Sequence, residues 1–426
     1  MRTGNVVLIR NAVETLGYFS GQIGRELERM GAKLYWIDYD RMYESLDGLS
    51  CFANGNETVL ITFNFIGIGG EDIFLSGKEE ERGERPGVPK SGSTMPGRSK
   101  AGRTVFERCG MRCVNILVDH PMYFHKKLLC APEDMLLFCI DREHVRYVRR
   151  FYPGIRTEFL ATAGNLPEEE MRAGGAGSGV PEPVPFEQRG YDLVFTANYV
   201  SFDELTARLG QQGPEYEAFY RGILDDLTAR PGQSVDAVME RHITEELGER
   251  PDRERREAMA GMAAIDLCAR AFYREAVLNA LAEADIRVHV FGADWERMPC
   301  REPHNLILNG RQVDSAACVQ AVRNAKISLN VMPWFQDGAH DRVFTAMLQG
   351  TAALTDASRY LREEFADGEE IVFYPLTRLS ELTDQTKRLL SDQDRLSRIA
   401  QRGYEKAKIR HTWAARVRET LSHIVF

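Results

Sequence analysis

The chain has 426 residues, 43% hydrophobic and 27% charged, which suits two domains of roughly 200 residues and excludes wholesale disorder. Its 54 Lys and Arg stand against 63 Asp and Glu, a formal charge of −9 that does not fit a nucleic-acid partner. No apolar run approaches the ~20 residues of a membrane span, and the N-terminus MRTGNVVLIR reads as the start of a fold, not a signal peptide. Eight scattered cysteines point to free thiols in a cytoplasmic protein. Cys109 and Cys113 lack a second Cys/His pair, so no metal site is expected.

In chain order, Asn5–Arg10 is strand-like and Leu16–Met30 is an amphipathic helix. Strands follow at Lys33–Ile37, Thr58–Phe65, Cys113–Val118, Met135–Ile140 and Thr157–Leu160, with helical segments in the gaps. Continuous apolar strands separated by helices indicate a parallel sheet covered on both faces, a doubly wound α/β domain. Ser76–Arg103 is polar, aperiodic and net basic, either a solvated linker or a lid or partner surface that attracts anions. Arg172–Arg189, rich in Gly, Ser and Pro, reads as an interdomain linker.

The series restarts at Asp192–Ala197, followed by a long helical stretch over about 202–284. Strands return at Arg287–Phe291, Asn305–Leu308, Ile327–Val331, Ala352–Leu354 and Ile371–Tyr374. Helices are expected at Asp314–Asn324, Arg342–Gln349 and Leu376–Ser391, and the last segment is helical throughout. The expected architecture is two doubly wound Rossmann-like domains, 1–185 and 190–426, with a helical insertion, a helical tail and a ligand cleft between the carboxyl ends of both sheets.

The segment QDGAHDRVFTAMLQGTAALTD carries the clearest chemistry. It places a polar turn before a helix whose free N–H groups and dipole favour an anion. Arg342 in the first turn adds a forked cation matched to phosphate oxygens. Its position works against the helix dipole, so a negative ligand nearby is the economical explanation; Asp341 as N-cap, or an Asp341–Arg342 surface pair, is the plainer one. In the first domain, Asp119-His120-Pro121 ends the strand CVNILV, where a doubly wound sheet presents functional groups. Asp119 is a candidate general base and His120 its rival, against a plain strand-end turn in which Asp119 caps the following helix. Asn64 at another strand end and Asn11 after the first strand are weaker candidates for substrate contacts, and Tyr123, just after the Asp119 turn, is a further one.

The string RVFTAMLQGTAALTD, continued by LREEFADGEEIVFY and LSRIAQRGYEKAKIRHTWAARVRETL, resembles the C-terminal domain of group 1 glycosyltransferases. Within them it is most similar to the branch of the spore maturation CgeB-like proteins. The matching pieces are Arg342–Met347, Gly350-Thr351, Asp356, Gly368-Glu369-Glu370 and His411-Thr412-Trp413, with a looser match back through FGADW and LNGRQ. The resemblance implies a GT-B fold and a nucleotide-sugar donor, most simply a UDP-sugar, held by the second domain without an obligatory metal or other cofactor. It implies a glycan or protein acceptor held mainly by the first. Donor contacts are expected from Asn198, Gly292, Asp294, Arg311, Gln312, His340, Asp341, Arg342 and Thr345. The family glutamate that holds the ribose hydroxyls falls on Thr345, which cannot offer a bidentate carboxylate. Two other functions remain open: a non-catalytic nucleotide-sugar or partner-binding protein, and a 2-epimerase that would need acids such as Glu363 and Glu364 around the sugar.

Overall fold

A computed structural model describes residues 4–53, 57–68, 107, 109–168, 180–310 and 313–424. The basic segment 76–103, part of the expected linker, and Arg311 and Gln312 lie outside the described residues.

Two all-parallel six-stranded sheets form the frame. The first contains β1 (Asn5–Arg10), β2 (Lys33–Asp38), β3 (Thr58–Phe63), β4 (Arg112–Leu117), β5 (Leu136–Cys139) and β6 (Arg156–Phe159), in the order β2-β1-β3-β4-β5-β6. The second contains β7 (Tyr191–Thr196), β8 (Val288–Phe291), β9 (Leu306–Leu308), β10 (Ala325–Asn330), β11 (Ala352–Asp356) and β12 (Val372–Tyr374), in the order β12-β11-β10-β7-β8-β9. Every strand expected from the sequence is present, because strands buried on both faces are apolar throughout; all six residues of β3 are buried. β3 stops at Phe63 rather than Phe65 because Asn64 and Phe65 take φ of +49° and +59° and turn the chain. The buried Asn115 side chain accepts from the Phe65 N–H and holds that turn.

In the first domain, helices α1 (Glu14–Arg29), α2 (Met42–Phe52), α3 (His125–Leu129) and α4 (Arg142–Phe151) accompany the strands. The expected helical stretch resolves into α5 (Phe202–Leu209), α6 (Pro214–Ala229), α7 (Val235–Leu247), α8 (Asp252–Gly261) and α9 (Ala264–Glu283). Helices α5 to α8 and the start of α9 do not stay with the second sheet. Ile223, Val238, Met239 and Met259 share one core with Val7, Leu60, Leu117 and Val148 of the first domain. Arg150 of α4 also pairs with Glu240 and Asp252 across that junction.

Six helices complete the described chain: α10 (Ser315–Arg323), α11 (Asp341–Leu348), α12 (Arg359–Glu364), α13 (Leu379–Ser391), α14 (Gln393–Arg410) and the terminal α15 (Trp413–His423). The tail α15 returns to the first domain, where the Trp413 ring packs 5.3 Å from Phe19 and 6.1 Å from Phe63. The chain therefore crosses between the domains three times: at the connection after β6, through the insertion, and through the tail.

The connection after β6 is pinned to α11. A Cβ on Gly164 would lie 2.5 Å from the Phe344 carbonyl oxygen, so only glycine allows this approach. Asn165 then makes four bonds. Its backbone N–H donates to Thr345 Oγ1 (3.0 Å), and its carbonyl accepts from Gln349 (2.9 Å). Its side chain donates to Asp341 (3.0 Å) and accepts from Trp413 Nε1 (3.0 Å). Asn165→Ala would leave a buried indole N–H and a carboxylate short of partners, and should lower the unfolding free energy by about 2–4 kcal/mol. Urea unfolding measures this; an unchanged midpoint and slope would remove Asn165 from that role.

Candidate active site

A pocket of about 720 Å³, open to solvent, lies between the domains at the carboxyl ends of β7 and β8. The strand order of the second sheet reverses between β7 and β10, and this switch is where an open parallel sheet leaves a crevice for ligands. The pocket is bounded by Thr196–Asn198 and Gly292 at the strand ends, Ser315, Cys318 and Val319 on α10, and His340–Arg342 and Thr345 on α11. Glu14 and Thr15 of α1 and Asn165 close it from the other domain. Gly292, at φ +144°, has no room for a side chain: a Cβ would sit 1.9 Å from the Ala197 carbonyl oxygen. Asn198 is exposed, and its side chain accepts from the Ala293 N–H at 3.0 Å, bracing the two strand ends.

The start of α11 is electrostatically asymmetric. His340, not Asp341, is the N-cap. Its Nδ1 faces both the Arg342 N–H, at 3.4 Å, and Asp341 Oδ1, at 2.8 Å. Burial, helped by Arg342, lowers the His340 pKa and keeps the ring neutral. Burial alone would raise the Asp341 carboxyl, but His340, Arg342 and Asn165 hold it below the usual carboxylate range. The Arg342 guanidinium has no hydrogen-bond partner among the described residues, and burial lowers its pKa. Arg274 of α9 is in the same condition. Its Nε is buried without a partner, its guanidinium lies 5.2 Å from the Trp334 ring, and burial together with Arg342 and Arg270 lowers its pKa to about 9. Two guanidinium groups thus stand near a helix N-terminus with no carboxylate hydrogen-bonded to either among the described residues, an arrangement suited to an anion with several oxygens.

The first-domain candidates form a second group. Asn64 Oδ1 accepts from the Val118 N–H (3.0 Å) and its Nδ2 donates to Asp119 (3.1 Å). Arg270 donates to the other Asp119 oxygen at 3.3 Å, and the Asp119 side chain is 40% exposed. Arg270 also pairs with Asp266 and lies 4.6 Å from the Trp334 ring, so α9 joins this carboxylate to the Arg274 side of the cleft. His120 is not an accessible base: it is buried, caps the turn Pro121–Phe124 through Met122 N–H, and stands 3.5 Å from Asp236 of α7. The cap expected of Asp119 is therefore made by His120. The Tyr123 hydroxyl is committed to Asp266 at 2.7 Å, and Asn11 to Asp38 at 2.8 Å.

Residues 270–422, from α9 to α15, match the family described as glycosyl transferase-like. No curated protein matches by sequence. In three dimensions the chain is similar to an alpha-glucosyltransferase solved with UDP-glucose and DNA containing an abasic site, at TM-score 0.53 and 10% identity over 99% of this chain and 98% of that one. The alpha-glucosyltransferase solved with UDP and a 13-mer DNA gives TM-score 0.53 and 8% identity over 99% of both chains. Sucrose-phosphate synthase from Thermosynechococcus elongatus aligns over 99% of this chain and 98% of its own, at 11% identity and TM-score 0.48. The protein has the GT-B fold.

Within the GT-B cleft, the remaining expected residues divide by position. Asp294 is exposed at φ +66° beyond Gly292 and is not on the pocket wall. Thr345 is on the wall, but its hydroxyl oxygen is taken by the Asn165 N–H. Glu363 and Glu364 lie on α12, paired with Arg142 and with Arg410, and do not line the pocket. Arg270 and Arg274 were missed by the sequence reading, although two arginines one turn apart in the apolar helix CARAFYREAVLNAL were a visible signal. Asn165 had no such signal. Among the described residues no group of three His, Cys, Asp or Glu could hold a metal ion.

Asp356 ends β11, with its buried carboxylate accepting from the Met332 N–H at 2.7 Å. Burial raises its pKa from 3.8 to about 7. A folded pKa above the unfolded one means its ionisation costs stability increasingly as pH climbs from about 4 to 7, and fully above that. Asp356→Asn should match the wild type near pH 4 and exceed it at pH 8 by on the order of 2 kcal/mol. Denaturant unfolding at the two pH values checks the sign; a variant weaker at pH 8 would refute it.

Proposed function

We propose that this protein is a glycosyltransferase that moves a sugar from a nucleoside-diphosphate sugar to an acceptor hydroxyl. The observation that carries this is Arg342, on the wall of the interdomain pocket at the N-terminus of α11 with no hydrogen-bond partner for its guanidinium among the described residues, reinforced by the charge of Arg274 on α9. When the anomeric carbon–oxygen bond breaks, negative charge grows on the departing diphosphate. Fixed cations and helix amide groups that are already oriented stabilise that charge without reorganising. On this reading two arginines supply the positive charge, and the reaction needs no metal.

Asp119 faces the acceptor side. Asn64 and Arg270 orient both of its oxygens, and its partial exposure lets an acceptor hydroxyl reach it. It takes the hydroxyl proton if configuration inverts, and positions the acceptor if configuration is retained. A UDP-sugar is the donor we favour, in keeping with the UDP-glucose and UDP of the structural neighbours. A surface glycan or protein is the acceptor we favour over DNA, since the chain carries a charge of −9. Membership of the CgeB-like branch and a cytoplasmic location, which suits the scattered cysteines of the sequence, belong to the same proposal.

A non-catalytic nucleotide-sugar-binding protein is the second reading, favoured by the commitment of Thr345 to the interdomain connection. Slow donor hydrolysis without acceptor separates the two. The wild type should release UDP from UDP-glucose or another UDP-sugar, and Arg342→Ala and Arg274→Ala should each lower that rate by roughly 10²–10³-fold. Nucleotide binding with no hydrolysis or transfer would select the second reading, and undiminished rates in both variants would remove the arginines from the mechanism.

A further inference from the structure

The chain that leads from β10 into α11 is anchored to the first domain before it reaches the donor pocket. Asp337, three residues ahead of the His340 cap, is only 2% exposed and does not line that pocket. Three guanidinium groups nevertheless converge on its carboxylate. Arg142 of α4 lies 3.3 Å from Oδ1, while Arg146 of α4 and Arg359 of α12 lie 3.4 and 3.3 Å from Oδ2. Glu143 also pairs with Arg146 and Arg359, and Glu363 with Arg142, so three arginines meet three carboxylates across the domain boundary.

The backbone is held at the same place. The Asp337 N–H donates to Asp141 Oδ2 at 2.9 Å, and its carbonyl accepts from the Arg142 N–H at 3.1 Å. Gly338 forms a β-bridge with Asp141, and the Ala339 carbonyl accepts from Thr162 Oγ1 at 3.0 Å. Residues 337–339 therefore belong to the second domain by sequence and to the first by contact. Three peptide steps separate Asp337 from the cap of α11, at most roughly 10 Å of chain, so a shift of one is passed to the other. Moving α4 away would leave a buried carboxylate with Arg359 alone, and an underpaired buried charge is costly.

We infer that Asp337 is a positioning residue: through Arg142 and Arg146, the first domain sets where the start of α11, and Arg342 with it, stands relative to Asp119. This rests on the role proposed above for Arg342 and deepens it. The cation at the diphosphate would then be aimed by the domain that carries the acceptor-side carboxylate.

Hydrolysis of UDP-glucose, hydrogen exchange and urea unfolding of wild type, Asp337→Asn, Asp337→Glu and Arg146→Ala test this together. Asp337→Asn keeps the shape and removes the charge; well below its unfolding transition its kcat should fall roughly 10–10²-fold, with KM within about threefold of wild type. Amides of residues 338–343 should exchange about tenfold faster while β7 and β10 keep their protection. Asp337→Glu restores the charge and should recover part of kcat. Arg146→Ala, at a half-exposed side chain, should fold as the wild type and shift both readouts less, in the same direction. Wild-type kcat in Asp337→Asn would overturn the inference, as would a loss of kcat with unchanged exchange at 338–343. A loss that only follows the fraction unfolded would do so too, and would leave Asp337 a stabilising residue alone. If the wild type does not hydrolyse UDP-glucose or bind UDP, the donor reading of Arg342 fails, while the exchange data still decide whether Asp337 holds α11.

Discussion

Helix α9 is held at its two ends by different domains, and the geometry of the cleft depends on that constraint. Ile265, Cys268 and Ala269, near its start, belong to the core of the first sheet and the insertion. Tyr273, Val277, Leu278 and Leu281, about one to three turns later, belong to the core of the second sheet. Arg270 and Arg274 stand where the helix passes from one core to the other, 1.5 Å of rise per residue apart along a rigid rod. Arg270 therefore reaches Asp119 on one side while Arg274 shares the field of Arg342 on the other. Asn165 and the terminal α15 fix the same relationship from behind α11. Helix packing, not loop conformation, thus sets where the carboxylate and the cations stand.

How much of this was legible in the sequence follows from which interactions are local. Parallel strands buried on both faces spell themselves as apolar runs, so Val59–Phe63 and Ile327–Leu329 could be read directly. The α11 turn was legible because an anion-favouring helix start, an arginine and a terminating Gly350 at φ +65° are all within one short segment. Residues whose meaning is tertiary were not legible. His120 looked like an exposed base at a strand end, but the insertion brings Asp236 and α7 over it and turns it into a buried cap. Thr345 looked like a weakened donor contact, but its hydroxyl serves a backbone N–H from a segment 180 residues away. Glu14 resembles any acidic first-turn residue until α10 is placed opposite it. The insertion itself was legible as helix, whereas its allegiance to the first domain was not, because amphipathic periodicity says that a face is covered and not by what.

The two arginines also explain why this region is so heavily braced. A guanidinium removed from water without a carboxylate partner costs the folded protein free energy, and a second one nearby adds repulsion. Such a cost persists only where the surroundings leave no alternative conformation. Here the alternatives are closed off. Trp334 lies against both Arg270 and Arg274, His340 and Asp341 are locked to each other, and Gly164 lets the connection approach α11 too closely for it to shift. Asp341, the carboxylate among the described residues whose charge acts on Arg342, is hydrogen-bonded to Asn165 and lies against His340. The fold thus holds positive charge in place and keeps the nearest negative charge occupied elsewhere. A bound diphosphate would relieve that imbalance, and the relief would grow as the bond to the sugar breaks and charge accumulates on the phosphate oxygens. On the proposed function, the stability forgone in holding these charges would reappear as preference for the reacting state, and the bracing of α9 and α11 would serve chemistry in that sense.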